Sequence, residues 1–334
     1  MNTRIAIIGA GIMGADHGDI ISKELPGAKL QVVCDAFEER ATALAKACGD
    51  ADVSTDPYSV IARKDVDAVI VASPDHTHAE LVMACIEHNK PVLCEKPLAP
   101  TAAESLKIIK AEVACTKQMV QIGFMRRFDQ SYREMKSVLD NNVIGQPLMM
   151  HNFHRNVETP AADFTADMAI TNSAPHEFDV ARFILGSEYK FISSFSPKGG
   201  NDKVGPVFMV LETQAGQLVN IEINNNASYG YDVRGELIGE KGAVSLNSPT
   251  YTTLDLKLSK STQYAQDWRA RYREAYRRQN NDFLHFVQTG EFSKIASNSW
   301  DGYCANVTAE AGVKALATSE RVAIEYAQMP ALYK

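Results

Sequence analysis

The first third of the chain alternates short apolar blocks with stretches of helical period. Residues 4–8, 29–34, 67–72, 91–95 and 119–124 are apolar blocks of strand length. The block at 67–72 (DAVIVA) is apolar after its first residue, as a strand buried on both faces requires. A helical stretch runs from a Gly-rich turn to a break near Leu25–Gly27. An Ala-rich helix at 38–48 is stopped by Gly49, and a third helix covers 78–89. A fourth is capped by Thr101, with Glu104 at the capping-box position, and runs through Ala114. This alternation predicts a parallel, doubly wound sheet.

After about Gly123 the pattern changes. Residues 131–139 and 176–185 have helical period, with Pro175 near the first turn of the second helix. Strand-like runs follow at 191–195, 207–213, 217–224, 233–238, 243–246 and 253–258. Residues 214–216 and 239–242 are hairpin turns between them. Two helices, 267–288 and 301–319, close the pattern. The expected fold class is α/β: a domain at 1–122 with a parallel sheet, then an α+β domain at 123–334 with a large, mostly antiparallel open sheet. The last helix is expected to pack back on the first domain. No internal repeat or low-complexity linker separates the two.

Composition narrows the function classes. The chain has 334 residues, 45% of them hydrophobic, enough for two cored domains. Its net charge of −7 argues against a general polyanion binder. The basic stretch with Arg269, Arg271, Arg273, Arg277 and Arg278 is therefore read as a solvated or subunit-contacting helix face, not a nucleic-acid surface. No run of ~18 apolar residues predicts a membrane span. The N-terminal residues enter a strand pattern directly, so no secretion signal is expected. Cys34, Cys48, Cys85, Cys94, Cys115 and Cys304 are scattered, with no CxxC pair. Reduced, buried thiols in a cytoplasmic protein are the expectation, without structural zinc.

The Gly-rich turn carries the first chemistry. Gly9, Gly11 and Gly14, with Ala10, Ile12 and Met13 between them, match GxGxxG. The motif follows a strand, opens a helix, and is followed by a second strand ending in Asp35, ~20 residues past the last glycine. Gly9 permits the tight turn, Gly11 lets backbone approach a pyrophosphate, and Gly14 lets helix and strand pack closely. The phosphates then meet the helix N-terminus, where N–H groups and the dipole favour anions. Asp35 accepts from both ribose hydroxyls and repels a 2′-phosphate, and Ala36 follows it in place of an arginine. The reading is an NAD-binding Rossmann domain, with NAD preferred over NADP.

Further motifs carry a resemblance. Ala72-Ser73-Pro74-Asp75-His76-Thr77-His78 and Cys94-Glu95-Lys96-Pro97, with the glycine fingerprint, resemble the glucose-fructose oxidoreductase/inositol dehydrogenase (Gfo/Idh/MocA) superfamily. In the second half, Gly123-Phe-Met-Arg-Arg-Phe-Asp129, His154-Arg-Asn156, Asp167-Met-Ala169, His176-Glu-Phe-Asp179, Tyr229-Gly-Tyr-Asp232 and Trp300-Asp-Gly-Tyr303 resemble the bacterial inositol 2-dehydrogenases. The resemblance implies reversible NAD-dependent oxidation of one secondary hydroxyl of a cyclic polyol. The implied substrate is myo-inositol and the product 2-keto-myo-inositol. It also implies a homotetramer assembled through the open sheet.

Alcohol oxidation needs a base, charge control and geometry, while the cofactor carries the hydride chemistry. The resemblance gives His176 the role of general base, for which an unperturbed imidazole is suited near neutrality. It gives Lys96 the stabilisation of developing alkoxide. Glu95 orients Lys96 or the nicotinamide ribose. Ser73, Pro74, His76 and His78 are assigned to the cofactor, and His76 to the nicotinamide pocket. Arg126, His154 and Tyr231 match positions that contact polyol hydroxyls; Asn156, also assigned to the substrate, is a weaker candidate, as are Asp167 and Tyr303. Asn172 departs from the pattern: the position is usually aspartate, four residues before the histidine. An amide can orient His176 but adds no charge. This leaves open a related reaction on another inositol isomer, a keto-inositol or a sugar. A non-catalytic NAD-binding regulator is the alternative of another class, opposed by the retention of Lys96 and His176. His76, His78, His176 and Cys94 form no recognisable metal-ligand set, and none is expected.

Overall fold

The apolar run at 67–72 becomes a strand inside a six-stranded parallel sheet. The computed structural model describes residues 2–157, 164–197, 204–247 and 252–334. They divide into two units: Met1–Phe128 with Ala275–Asn306 and Ala327–Lys334, and Asp129–Glu274 with Val307–Tyr326.

In the first unit, β1 (Thr3–Ile8), β2 (Ala28–Cys34), β3 (Asp52–Ser54), β4 (Ala68–Val71), β5 (Val92–Cys94) and β6 (Val120–Ile122) form a sheet of order β3-β2-β1-β4-β5-β6. Helices α1 (Ile12–Glu24), α2 (Glu38–Ala47), α3 (Pro57–Ile61), α4 (His78–Glu87) and α5 (Ala102–Cys115) connect the strands. The order reverses between β1 and β4, so a crevice is expected at their carboxyl ends. Every residue of β4, β5 and β6 is buried, as sequence patterning requires of strands covered on both faces. Thr101 Oγ1 accepts from the Glu104 amide at 3.2 Å and starts α5 as expected. The short β3 and α3 were not predicted. Asp56 caps α3 by accepting from the Tyr58 and Ser59 amides, with Pro57 in its first turn. Within the same unit, Ala305 joins the apolar core of the sheet, and Gly302 lies so close to Leu98 that an added Cβ would sit 2.9 Å from it.

The second unit opens with α6 (Gln130–Asp140), β7 (Pro147–Arg155), the single turn α7 (Ala166–Met168) and a π-turn at Ala169–Ser173, then α8 (Pro175–Leu185). Strands β8 (Tyr189–Phe195), β9 (Val207–Thr213), β10 (Leu218–Asn224), β11 (Asp232–Gly239) and β12 (Gly242–Ser245) follow. With β15 (Val322–Ala323) and β7 they form a seven-stranded sheet of order β12-β11-β7-β10-β9-β8-β15. Only β7 and β10 pair in parallel, so the sheet is mostly antiparallel. The predicted hairpin turns at 214–216 and 239–242 join β9 to β10 and β11 to β12. The run expected as one strand at 253–258 is instead half of a separate hairpin, β13 (Leu254–Leu256) with β14 (Ser259–Ser261). Its turn residues Lys257 and Leu258 have φ of 51° and 62°, which ends the strand where the apolar pattern continues. Helices α9 (Trp268–Thr289) and α10 (Ser299–Thr318) complete the elements.

Strand β7 was not predicted at all, and it positions the site. Its inward side chains are Met150, Asn152 and His154, all buried. Met150 joins the core formed with Ile221, Leu211 and Phe178, while His154 sits at the strand's carboxyl end. One strand thus passes from apolar core to polar site in five residues.

Among the described residues no helix is long and apolar enough to cross a membrane. Five of the six cysteines are buried, whereas Cys115 is exposed. Burial pushes the Cys34 thiol up to about 11 and that of Cys85 to about 12. Arg271, from the basic stretch, pairs with Asp129, the cap of α6, and Arg269 pairs with Asp267.

Candidate functional site

In the first unit the glycine turn joins β1 to α1. Gly9 has φ +101°, and a Cβ there would lie 2.5 Å from the backbone of Ala72 and Ser73. A Cβ on Gly14 would lie 1.8 Å from the Gly9 carbonyl oxygen. Both positions therefore require glycine for the fold alone. Gly11 differs: nothing lies within 4 Å of its Cβ position, and it begins α1 with no side-chain cap. The space before the helix N-terminus is open, and Ile12, with Met13 beside it, presents an apolar side chain there that is 65% exposed. Asp35 ends β2. Its Oδ2 accepts from the Ala10 amide at 2.7 Å and its Oδ1 from Phe37 at 2.9 Å. These bonds tie the acid to the glycine turn. An open, uncapped helix N-terminus beside a fixed carboxylate fits the pyrophosphate and ribose of a dinucleotide.

The segments after β4 and β5 lie at the same edge of the sheet. Ser73 bonds Thr77 through their hydroxyls at 2.6 Å, and the short 3-10 turn Asp75–Thr77 leaves Pro74 and His76 exposed. His78, assigned above to the cofactor, is buried. Its Nδ1 faces the Pro97 carbonyl at 2.7 Å and its Nε2 the Ser73 carbonyl at 2.9 Å. It acts as a strut between the two segments that follow β4 and β5. Lys96 is half-buried and precedes Pro97 through a cis peptide bond. Glu95 is buried, and its Oε1 receives Nε2 of His17 at 2.9 Å. His17 is fully buried on α1, and its Nδ1 lies 3.0 Å from the Asn280 side-chain nitrogen. A neutral ring that donates to Glu95 and accepts from Asn280 satisfies all three groups. A Cβ on Gly123 would lie 2.8 Å from the Glu95 carboxylate, so glycine is needed there as well. Arg126, on the 3-10 turn Met125–Phe128, is 1% exposed, and its neighbour Arg127 pairs with Asp301 at 3.0 Å. The sequence reading missed His17 and Asn280. The signal for His17 was a histidine three residues past Gly14, on the helix face that Gly14 and Gly18 bury.

In the second unit His154, His176 and Tyr231 come together. The His154 ring centroid lies 6.5 Å from that of His176 and 6.1 Å from that of Tyr231, edge to face in both cases. His176 occupies the first turn of α8, after Pro175, and is 8% exposed. Tyr231 is placed by its amide, which donates to the Ala265 carbonyl at 2.8 Å, and by contact with Tyr272. Asn172 lies in the π-turn before α8, and its Oδ1 accepts from the Thr171 hydroxyl at 3.0 Å. Such turns recur at functional sites because they displace one side chain from helical register. Asn156 donates to Asn225 Oδ1 at 2.6 Å, and its backbone bonds Asn224 and Ala227. Asp167 sits on α7. Tyr303 belongs to the first unit, where its hydroxyl accepts from the Ala327 amide at 2.9 Å. Asp179 is buried on α8. Glu177, which carried no role in the sequence reading, is fully buried and lies 3.2 Å from His154 Nδ1. Among the described residues, no cluster of three metal-ligating side chains exists.

Comparison with known proteins places this geometry. The family model described as the oxidoreductase family with an NAD-binding Rossmann fold matches residues 3–124. The GFO/IDH/MocA C-terminal domain matches residues 132–245. The chain belongs to the Gfo/Idh/MocA oxidoreductase family. Its first unit is therefore an NAD-binding Rossmann domain, as the glycine turn indicates. Among curated relatives in this family, "Inositol 2-dehydrogenase 2" of Saccharopolyspora erythraea is 42% identical, covering 100% of this chain and 98% of the relative. "Inositol 2-dehydrogenase/D-chiro-inositol 3-dehydrogenase" of Shouchella clausii is 39% identical, covering 100% and 97%. Among solved structures, the myo-inositol dehydrogenase of Lactobacillus casei in complex with NAD(H) and myo-inositol is 32% identical. It covers 100% of both chains with a TM-score of 0.94.

Proposed function

We propose that this oxidoreductase catalyses NAD-dependent oxidation of a secondary hydroxyl of a cyclic polyol to a ketone, with myo-inositol as substrate and 2-keto-myo-inositol as product. The observation that carries the reading is the full-length match, at a TM-score of 0.94, to a dehydrogenase whose structure holds NAD(H) and myo-inositol.

When bound, NAD⁺ supplies the acceptor for the hydride of the carbinol carbon. The chain's own residues do the rest. Gly11, Ile12 and Met13 with the N-terminus of α1 receive the pyrophosphate, and Asp35 binds the adenosine ribose and disfavours a 2′-phosphate. Ser73, Pro74, His76 and Glu95 line the cofactor's path, and His78 holds that path in shape. Lys96 stabilises negative charge developing on the substrate oxygen. His176 takes the hydroxyl proton, with Asn172 orienting the ring. Arg126, His154, Asn156 and Tyr231 bond the remaining hydroxyls. We further read the enzyme as cytoplasmic, where the buried thiols stay reduced, and as a homotetramer assembled through the outer face of the seven-stranded sheet. Phe195, Phe208, Leu148 and Leu218 are exposed on strands of that sheet.

Asn172 favours a second substrate range: the neutral amide in place of aspartate fits an enzyme tuned to another inositol isomer, a keto-inositol or a sugar. The test is NADH formation by the purified protein at about pH 9, where the base is deprotonated. The substrates are myo-, scyllo- and D-chiro-inositol and D-glucose, each with NAD and NADP. Turnover of myo-inositol with NAD supports the first reading. Turnover confined to another ring replaces it with the second, and cofactor binding without turnover of any of them makes the protein a non-catalytic NAD-binding regulator.

A further inference from the structure

Glu177 is a fully buried carboxylate that the reaction above does not use. Burying such a group is costly unless hydrogen bonds hold it. It follows His176 directly in the first turn of α8, where the helix dipole favours negative charge. Its Oε2 lies 3.2 Å from Nδ1 of His154, which comes from β7. The strand neighbours of His154 are Ile223 on β10 and Val233 on β11, both apolar and buried.

We propose that Glu177 is a positioning residue that fixes His154 in the Nδ1–H tautomer, so that Nε2 is presented to the substrate as a hydrogen-bond acceptor. An ionised carboxylate only accepts, so the proton of the contact resides on His154 Nδ1. In a neutral ring the other nitrogen then carries a lone pair. A ring hydroxyl meeting Nε2 must therefore donate. Every hydroxyl of a polyol can donate or accept, and an acceptor fixed at one place selects the orientation in which that hydroxyl's proton points at it. None of the second-unit residues assigned to the polyol (His154, Asn156, Asn172, His176 and Tyr231) is an acid. Glu177 supplies a direction for the hydroxyl at His154 that a neutral imidazole, free to take either tautomer, leaves undetermined. The inference rests on the reading of His154 as a polyol contact.

The experiment combines kinetics with ¹⁵N NMR of histidine-labelled, ligand-free protein, the His154 signals being assigned by their loss in His154→Asn. The parent should show Nδ1 protonated and Nε2 bare. Glu177→Leu should lose that preference and raise KM for the polyol by about tenfold, one hydrogen bond's worth. Its kcat and its KM for NAD should stay within about threefold of the parent. Glu177→Gln keeps an acceptor oxygen and should recover most of the loss, with the parent tautomer. An Nε2–H tautomer in the parent, or a Leu variant with unchanged tautomer and KM, overturns the proposal. If the Leu variant does not fold, the spectra of the parent and the Gln variant still decide it. If the parent turns over no polyol, the functional reading fails, while the tautomer still tests the role of Glu177.

Discussion

His17 and Glu95 are 78 residues apart in the chain, and their side chains meet at 2.9 Å in a fully buried contact. The histidine belongs to the helix that opens at the glycine turn, and the glutamate precedes Lys96. The contact joins the element that receives phosphates to the segment that carries the cation. It also explains Gly123, whose missing side chain leaves room for the Glu95 carboxylate.

Replacing His17 by Leu removes the donor to Glu95 and the acceptor for Asn280 without opening a large cavity. Two buried polar groups then lose a partner, at a cost of about 1–3 kcal/mol in stability. Release of Glu95 should raise KM for NAD and lower kcat together, because the segment bearing Lys96 loses its support. His17→Gln, which can still donate to Glu95, should recover part of both effects. Urea unfolding and steady-state kinetics on the three proteins check this. A Leu variant with parental NAD kinetics would show that Glu95 keeps its place without His17.

The glycines of the turn should separate fold from cofactor binding. Gly14→Ala puts a methyl group into the Gly9 carbonyl and should prevent correct folding of the first unit. Gly11→Ala meets nothing within 4 Å and should leave the thermal midpoint unchanged. Its methyl would instead occupy the open space assigned to the pyrophosphate, so NAD affinity should fall by tenfold or more, about 1.4 kcal/mol. Calorimetric titration with NAD beside a thermal melt is the measurement. Loss of stability in the Gly11 variant, or unchanged affinity, would move the phosphate site away from this residue.

Most of the first unit was legible in the sequence because β4, β5 and β6 are buried along their whole length and appear as apolar blocks, whereas the exposed three-residue β3 leaves no such block. The second unit was legible only where burial follows the alternation of a half-covered sheet. Strand β7 breaks that rule. Two of its inward residues, Asn152 and His154, are polar, while Met149 and Phe153 on the other face are apolar and only partly buried. The pattern is inverted at the site, where polar groups must face inward to meet a ligand. His154 was therefore found through its motif and not through its strand. His17 and Glu177 escaped for a related reason. Each is a buried polar residue whose partner lies on another element, and spacing along the chain carries no trace of such a contact.

Glu112 gives a pH-dependent stability with a definite sign. Burial raises its carboxyl above the ordinary value of 4.5, against hydrogen bonds to the ionised form from the Met119 and Val120 amides and the Tyr333 hydroxyl. A raised acid binds its proton more tightly in the folded state, so its contribution is fully present below 4.5 and is lost as pH rises through the folded value. Glu112→Gln keeps an acceptor oxygen and cannot titrate. Relative to the variant, the parent should gain stability as pH falls from about 8 towards 5, by at most about 1.4 kcal/mol per pH unit. Urea unfolding of both proteins at the two ends of that range measures the difference. A difference independent of pH would mean that the hydrogen bonds offset the burial.

Asn172 offers the sharpest test of the base. Its Oδ1 accepts from the Thr171 hydroxyl, a bond that an aspartate can keep, so Asn172→Asp should fold normally. The variant adds a negative charge four residues before His176, at the position where the resemblance expects aspartate. A nearby carboxylate favours the charged imidazole. The acid limb of kcat/KM for the polyol should therefore move to higher pH, by about one unit. The rate on the alkaline plateau should rise where proton transfer limits turnover, because the base is stronger. Leu substitution at 172 should leave the limb in place while lowering kcat, since it removes orientation without adding charge. An unmoved limb in the aspartate variant would show that residue 172 does not act on His176 through charge, and would turn the search for the proton acceptor towards His154 and its buried carboxylate.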